Sequence, residues 1–67
     1  MRREGVVEAF DHHEGLGWIV DEHGERYLFH CAELVDGTRD VAVGARVTFE
    51  AAVRFGHQEA ARIEKSA

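Results

Sequence analysis

The side chains best suited to bond-making or metal binding in this chain are its histidines and its cysteine. There are five histidines and a single cysteine, Cys31. The adjacent pair His12 and His13 would point its rings apart on a strand or turn, and no histidine spacing matches a zinc-ligand pattern. A lone cysteine without a positioned base behaves as an inert apolar residue. Since no catalytic motif or phosphate-binding loop occurs either, we predict no metal, no cofactor and no enzymatic activity.

A second kind of chemistry, stacking, is suggested by large apolar side chains that alternate with glycine. In the stretch EGLGWI (14–19), Leu16 and Trp18 share one face of an extended strand, and Gly15 and Gly17 share the other. Glycine inside a strand lowers stability and packs against nothing. We interpret the two glycines as positions of tight sheet curvature or of close approach to the backbone.

The stretch YLFHC (27–31) repeats this alternation on another predicted strand. Leu28 and His30 share one face, while Tyr27 and Phe29 share the other. We predict that Tyr27 and Phe29 face the core together with the inward side of the preceding strand. The outward face then carries Leu28 and His30 beside the apolar residues of that strand.

Turn residues divide the chain into five short extended segments that could position these side chains. The predicted strands are residues 4–10, 16–21, 26–31, 45–53 and 58–64.

Two later segments carry additional signals. In the fourth strand, alternation predicts that Val47, Phe49 and Ala51 share one face and that Thr48 and Glu50 share the other. The fifth segment is rich in helix-favouring alanine and glutamate but too short for a stable isolated helix. We therefore predict a strand there, and a single helical turn over residues 32–34.

Five short strands in 67 residues favour a small closed barrel, because a flat sheet of this size could not cover its own core. We predict an all-β fold, a five-stranded antiparallel Greek-key barrel of the OB type. Residues 1–67 are expected to form one domain.

Charge and hydropathy restrict the partners. Thirteen acidic and eight basic residues give a formal net charge of −5, and Arg2 and Arg3 are the only adjacent basic pair. Such dispersed positive charge argues against strong binding of nucleic acids. No apolar run is long enough to cross a membrane, so we expect a cytoplasmic protein without membrane contact.

The run GVVEAFDHHEGLGWIVDEHGERYLFHCAEL (5–34) resembles the cold-shock domain family. The family pattern is similar to G-x-V-K-W-F-N-x-x-K-G-F-G-F-I, followed by a hairpin and D-V-F-V-H-F-S-A-I. Downstream, GARVTFE (44–50) and EAARI (59–63) resemble the last two strands of the family. The resemblance therefore extends over nearly the whole chain.

This resemblance implies a surface on which the bases of single-stranded DNA or RNA stack. The residues at the matching positions are Phe10, Leu16, Trp18, Leu28 and His30. Imidazole and indole rings both stack on bases. For Phe10, a half-buried structural role is an equally good interpretation.

The chain departs from the family pattern at charged and aromatic positions alike. Two lysines are replaced by glutamates, Glu8 and Glu14, which we expect to repel phosphates at the edge of the face. The aromatic positions that have become small, aliphatic or polar are Ala9, Leu16, Leu28, Cys31 and a loop position near Thr38. Each lost stack weakens binding, so we expect low affinity.

Two functions remain open on the sequence alone. The first is weak binding of single-stranded DNA or RNA, as in an RNA chaperone or regulator. The second is a diverged cold-shock fold whose apolar face, with Leu16, Trp18 and Leu28, serves as a protein-interaction or dimerisation surface. We favour the first and expect a monomer, with a dimer as the alternative.

Overall fold

In the computed structural model, which describes residues 2–66, the chain forms a closed five-stranded barrel. A single turn of 3₁₀ helix, Cys31–Glu33, follows the third strand. The strands are β1 (Arg2–Asp11), β2 (Leu16–Asp21), β3 (Arg26–His30), β4 (Arg46–Arg54) and β5 (His57–Lys65). The predicted all-β barrel and its five strands are confirmed, including a strand and not a helix at the C-terminal segment. No helix within residues 2–66 is long and apolar enough to span a membrane.

The strands follow the order β1-β2-β3-β5-β4 around the barrel, and β4 closes it against β1. Four pairings are antiparallel, and the β3–β5 pairing is parallel. An odd number of strands cannot alternate in direction around a closed ring, so one parallel neighbour pair is unavoidable. The barrel is therefore antiparallel, as predicted, except at this one pairing.

The inward faces of the strands form one apolar core. Tyr27 and Phe49 rings meet there at 4.9 Å between centroids, and the predicted inward phases of β2 and β3 are confirmed. Val47 and Phe49 are buried on the face of β4 that Ala51 shares, whereas Ala51 itself is exposed although its partner Ala60 is buried. The buried apolar residues are Val7, Ile19, Tyr27, Phe29, Cys31, Leu34, Val41, Val47, Phe49, Ala60, Ala61 and Ile63.

Gly17 on β2 and Gly15 in the turn before it both face buried side chains. A Cβ on Gly17 would lie 2.5 Å from the carbonyl oxygen of Ala9 and 2.7 Å from the ring of Phe29. Gly15 has a φ of +73°, and a Cβ there would lie 2.9 Å from Cys31 Sγ. The flat group that approaches the backbone is therefore the Phe29 ring in the core.

Candidate nucleic-acid interface

Four of the five predicted contact residues lie side by side on the outer face of β2 and β3. In the antiparallel register, Leu16 is opposite His30 and Trp18 is opposite Leu28. Leu16 is 38% exposed and Trp18 is 41% exposed, while Leu28 is half-buried and His30 is exposed. We call these four residues the platform. It is an apolar sheet surface with an indole ring at its centre.

Phe10 has a different orientation from the platform residues. It is opposite buried Gly17, and its ring stacks on the core ring of Phe29 at 5.8 Å with an interplanar angle of 5°. Its outer edge meets the His12 ring at 5.0 Å in an edge-on contact. Phe10 thus connects the core to the rim of the interface, in keeping with the half-buried interpretation.

An open groove of about 350 Å³ runs along the β1 side of the platform. Two carboxylates, Asp11 and Glu14, stand at its rim. Ala9 lies opposite Trp18 at the floor of the groove, so a small side chain leaves room for a flat group beside the indole. The groove is lined by Ala9, Phe10, Asp11, Glu14, Leu16, Gly17, Trp18 and Leu28.

The turn between β1 and β2 holds this rim in place. The Asp11 carboxylate accepts hydrogen bonds from the backbone N–H groups of His13 at 2.8 Å and Glu14 at 3.1 Å. Asp and Asn favour such turns because the short side chain reaches the backbone two residues on. His12 Nδ1 then lies 3.2 Å from the carboxylate of Asp40, which ties the turn to the loop between β3 and β4.

The hairpin that carries the platform is closed by one buried carboxylate, Asp21. It accepts hydrogen bonds from the backbone N–H groups of His23 and Glu25, each at 2.9 Å, and from the Tyr27 hydroxyl at 3.1 Å. Burial acts to raise the pKa of Asp21, but these hydrogen bonds outweigh it and the net shift of the pKa is downward. Burial, and then the bond to Asp21, raise the pKa of Tyr27.

His30 is positioned by the backbone that follows it. Its Nδ1 accepts the N–H of Ala32 at 3.0 Å and caps the 3₁₀ turn. A ring nitrogen that accepts a backbone hydrogen bond carries no proton, so the neutral ring has its proton on Nε2. The exposed ring is therefore held at the platform edge in a fixed orientation, with Nε2 close to Gly15.

At one end of the platform, a cation on β3 is held by an acid on β1. Val7 is opposite Ile19 and Ala9 is opposite Trp18, so Glu8 is an extra residue that forms a β-bulge. Its carboxylate reaches Arg26 at 2.8 Å. Glu8 was expected to repel phosphates. Its carboxylate is also paired with the Arg26 guanidinium, a group that would otherwise attract phosphates.

On the β5 side the same arrangement recurs. Glu59 is opposite Leu28 in the parallel pairing. Its carboxylate lies 3.6 Å from Arg54 and 3.0 Å from His57. Cations therefore flank both sides of the platform, and each is paired with a carboxylate.

No three histidine, cysteine, aspartate or glutamate side chains within residues 2–66 come together as a metal-binding group. Cys31 is buried beneath the platform, with its sulfur 4.0 Å from His30 Nδ1.

The sequence interpretation did not identify the ion pairs that hold these cations or the exposed ring of Phe55, which is 97% exposed. Glu8 and Arg26 are far apart along the chain and meet only through the strand register, so no local pattern marks this pair. Phe55 alone had a usable signal, since it precedes Gly56 between two extended segments, where a two-residue hairpin turn is expected.

A closed five-stranded barrel with an exposed aromatic and apolar face on β2 and β3 is the architecture of OB-type nucleic-acid-binding domains. The sequence model described as the 'Cold-shock' DNA-binding domain matches residues 3–66. This chain belongs to the cold-shock domain family, as its sequence pattern predicted.

A solved structure, titled "drosophila Unr CSD456", superposes on the chain with a TM-score of 0.83 and 25% sequence identity. The match covers 100% of this chain and 27% of the Unr chain, so this chain spans about a quarter of that protein's length. The comparison with curated proteins gave no match. Cold-shock domains are modules that bind single-stranded nucleic acids. This chain has the fold of that family.

Proposed function

We propose that this chain binds single-stranded DNA or RNA by stacking bases on the platform, with little sequence preference, as an RNA chaperone or regulator does. The observation that carries the proposal is the exposed indole of Trp18 at the centre of an apolar sheet face. Antiparallel sheets normally place polar side chains on the outward face. Stacking contributes about 1–3 kcal/mol per base and tolerates any base, because every base has a π-face.

The affinity is expected to be micromolar or weaker. The guanidinium of Arg26 is paired with Glu8, and that of Arg54 with Glu59, so a phosphate must displace a carboxylate to reach either cation. Asp11 and Glu14 add negative charge at the groove. With the electrostatic contribution reduced, most of the binding energy must come from stacking. Duplex binds more weakly still, because its bases are already stacked on one another.

A fluorescence titration tests this proposal directly. Trp18 is the single tryptophan of the chain, so its emission reports on the platform alone. We expect quenching by oligo-dT and oligo-U at low salt, and less quenching by a duplex of the same length. Unchanged emission with both oligonucleotides at millimolar concentration would contradict the proposal.

The second candidate function, protein interaction or dimerisation, is favoured by the same apolar patch with its acidic rim. Leu16, Trp18 and Leu28 present apolar surface whose neighbouring cations are already neutralised. Sedimentation separates the two functions, since we expect a monomer that oligo-dT shifts at low salt. A stable dimer that dissociates on Leu28→Glu and ignores oligonucleotide would favour the second.

A further inference from the structure

The hairpin between β4 and β5 has an unusual residue at its tip. Arg54 pairs with His57, which leaves Phe55 and Gly56 as a two-residue turn. Their φ angles are +52° and +83°, as in a type I′ turn. Such turns favour Asn-Gly, because both central residues need positive φ. The first position here carries a phenylalanine, for which positive φ is a genuine outlier.

Nothing within the described chain compensates this conformation. The Phe55 side chain is 97% exposed, so it contributes no buried apolar area to the fold. An asparagine at the same position would relieve the strain and remove an exposed ring from water. Strain and exposure together on one residue point to a ligand.

The hairpin leads directly away from the platform. Trp18 is opposite Leu28, and Leu28 is opposite Glu59, so the three outer side chains form one row. Residues two apart on a strand share a face, which puts His57 on the same face as Glu59. Arg54 is the partner of His57, and the ion pairs of both residues with Glu59 agree with this placement.

The spacing fits a ligand longer than the platform. From Trp18 to Ala52, the β4 partner of Glu59, there are three strand spacings of about 4.8 Å, and from Ala52 to Phe55 there are three residues of about 3.3 Å. The resulting separation along the sheet surface, about 17 Å, is more than one base can bridge. Between the two aromatic rings lie Arg54 and His57, whose side chains are about half exposed.

We propose that Phe55 is a second base-stacking site for the strand held by the platform, with Arg54 and His57 contacting the intervening phosphates. The proposal rests on the proposed function, and it assigns a role to a residue outside the platform. A polyanion is favoured over a protein partner because the path from Trp18 to Phe55 is continuous with the platform and carries a guanidinium and an imidazole. Glu59 holds both groups until a phosphate replaces its carboxylate.

Phe55→Asn tests this, because asparagine suits the turn and should raise the melting temperature. We expect about 5-fold to 150-fold weaker binding of an oligo-dT of about eight nucleotides, the range for one lost stack. An oligo-dT of about three nucleotides, confined to the platform, should bind equally to both proteins. Phe55→Leu, the matched control, keeps an apolar side chain and the strained turn but should lose the same long-oligonucleotide affinity.

A relocated tryptophan gives an independent signal. In the double variant Trp18→Phe with Phe55→Trp, the only indole lies at the hairpin tip. We expect the long oligonucleotide to quench it and the short one to leave it unchanged.

The outcomes separate the two proposals. Quenching of wild-type Trp18 together with full long-oligonucleotide affinity in Phe55→Asn would overturn only the Phe55 site. Equal weakening of short and long oligonucleotides, or full retention in Phe55→Leu, would also overturn it. A wild-type dimer that Phe55→Asn dissociates would assign the ring to a second copy of the chain. If no oligonucleotide quenches wild-type Trp18, the platform function fails, and the Phe55 site fails with it.

Discussion

The two faces of the β2–β3 hairpin are both apolar, yet their environments are opposite. On the inner face, Ile19, Tyr27 and Phe29 are between 0% and 2% exposed. On the outer face, Leu16 and Trp18 are about two-fifths exposed. The inner residues stabilise the barrel by burial, which contributes about 25 cal/mol per Å² of apolar surface. The outer residues have no covering element within residues 2–66, so they add little to the stability of the barrel, and under the proposed function they serve a ligand.

The two faces also differ in where their charged side chains lie and in how those side chains are paired. The inner face has one buried acid, Asp21, whose carboxylate is fully hydrogen-bonded. The outer face is bordered by Arg26 and Arg54, which are paired with Glu8 and Glu59 at the surface. Exposed ion pairs are weak, typically about 0–1 kcal/mol. The cations beside the platform are therefore held loosely enough for a phosphate to compete.

Gly17→Ala should disrupt packing on the inner face and cause the largest loss of stability. The new Cβ would lie 2.7 Å from the Phe29 ring and 2.5 Å from a backbone oxygen, and neither can move away without repacking the core. We expect a loss of about 3 kcal/mol in the free energy of unfolding, measured by urea denaturation. Gly24→Ala is the control, because φ there is +82° but the space is open. Gly17 itself does not have a positive φ, so a loss no larger than that of Gly24→Ala would contradict the crowding against Phe29.

Trp18→Ala should weaken oligonucleotide binding at the outer face and leave the core packing of the inner face intact. We expect binding of a fluorescently labelled oligo-dT to weaken by about 1–3 kcal/mol, the value of one stacked base. The free energy of unfolding should change by less than about 1 kcal/mol, because the ring is largely outside the core. Val35→Ala removes a side chain that is 55% exposed outside the platform and should leave binding unchanged. Unfolding of Trp18→Ala would contradict the division between the two faces.

Replacing both Glu8 and Glu14 by lysine tests whether the acidic residues beside the platform weaken nucleic-acid binding. Glu8→Lys removes the partner of Arg26 as well as adding a cation, whereas Glu14→Lys only changes the groove rim. We expect tighter oligonucleotide binding and a salt dependence steeper by about 0.7 per new phosphate contact on a single strand. Glu8→Gln should show the part due to Arg26 alone, and Glu64→Gln on the exposed end of β5 is the control. An unchanged salt slope in the double lysine variant would disprove the assignment of this edge.

Asp36→Asn should have the smallest effect, a loss of stability that is present at neutral pH and disappears in acid. The backbone N–H of Thr38, the Lys65 ammonium and the Thr38 hydroxyl lower the pKa of Asp36 from 3.8 to about 2. A lowered folded-state pKa stabilises the protein above the unfolded value, and this contribution disappears as pH falls from about 4 to about 2. Thermal melts should show the variant less stable than wild type at neutral pH and equal to it near pH 2. A difference that persists at pH 2 would mean that the loss is not due to the carboxylate charge.

The strands and the two faces could be predicted from the sequence, because they depend on local alternation. Side chains two apart share a face whatever the rest of the fold does, so Trp18 outward and Phe29 inward followed from the pattern around each. The burial of Phe10 could not be predicted in the same way. Alternation at the end of a strand cannot show whether a neighbouring ring, here that of Phe29, will cover the side chain. Alternation likewise put Ala51 on the same face as Val47 and Phe49 but could not show that Ala51 is exposed, because the phase along a strand does not show where cover by the rest of the fold ends.

The sequence by itself determined a five-stranded cold-shock barrel with an exposed indole on its β2–β3 face. Only the tertiary structure decided which charges border that face and where the second exposed ring stands. Glu8 reaches Arg26 because a bulge shifts β1 by one residue, and Glu59 lies beside Leu28 because the odd strand number makes β3 and β5 parallel. Both arrangements join residues far apart in the chain, so they depend on strand register and barrel closure, which no short segment encodes.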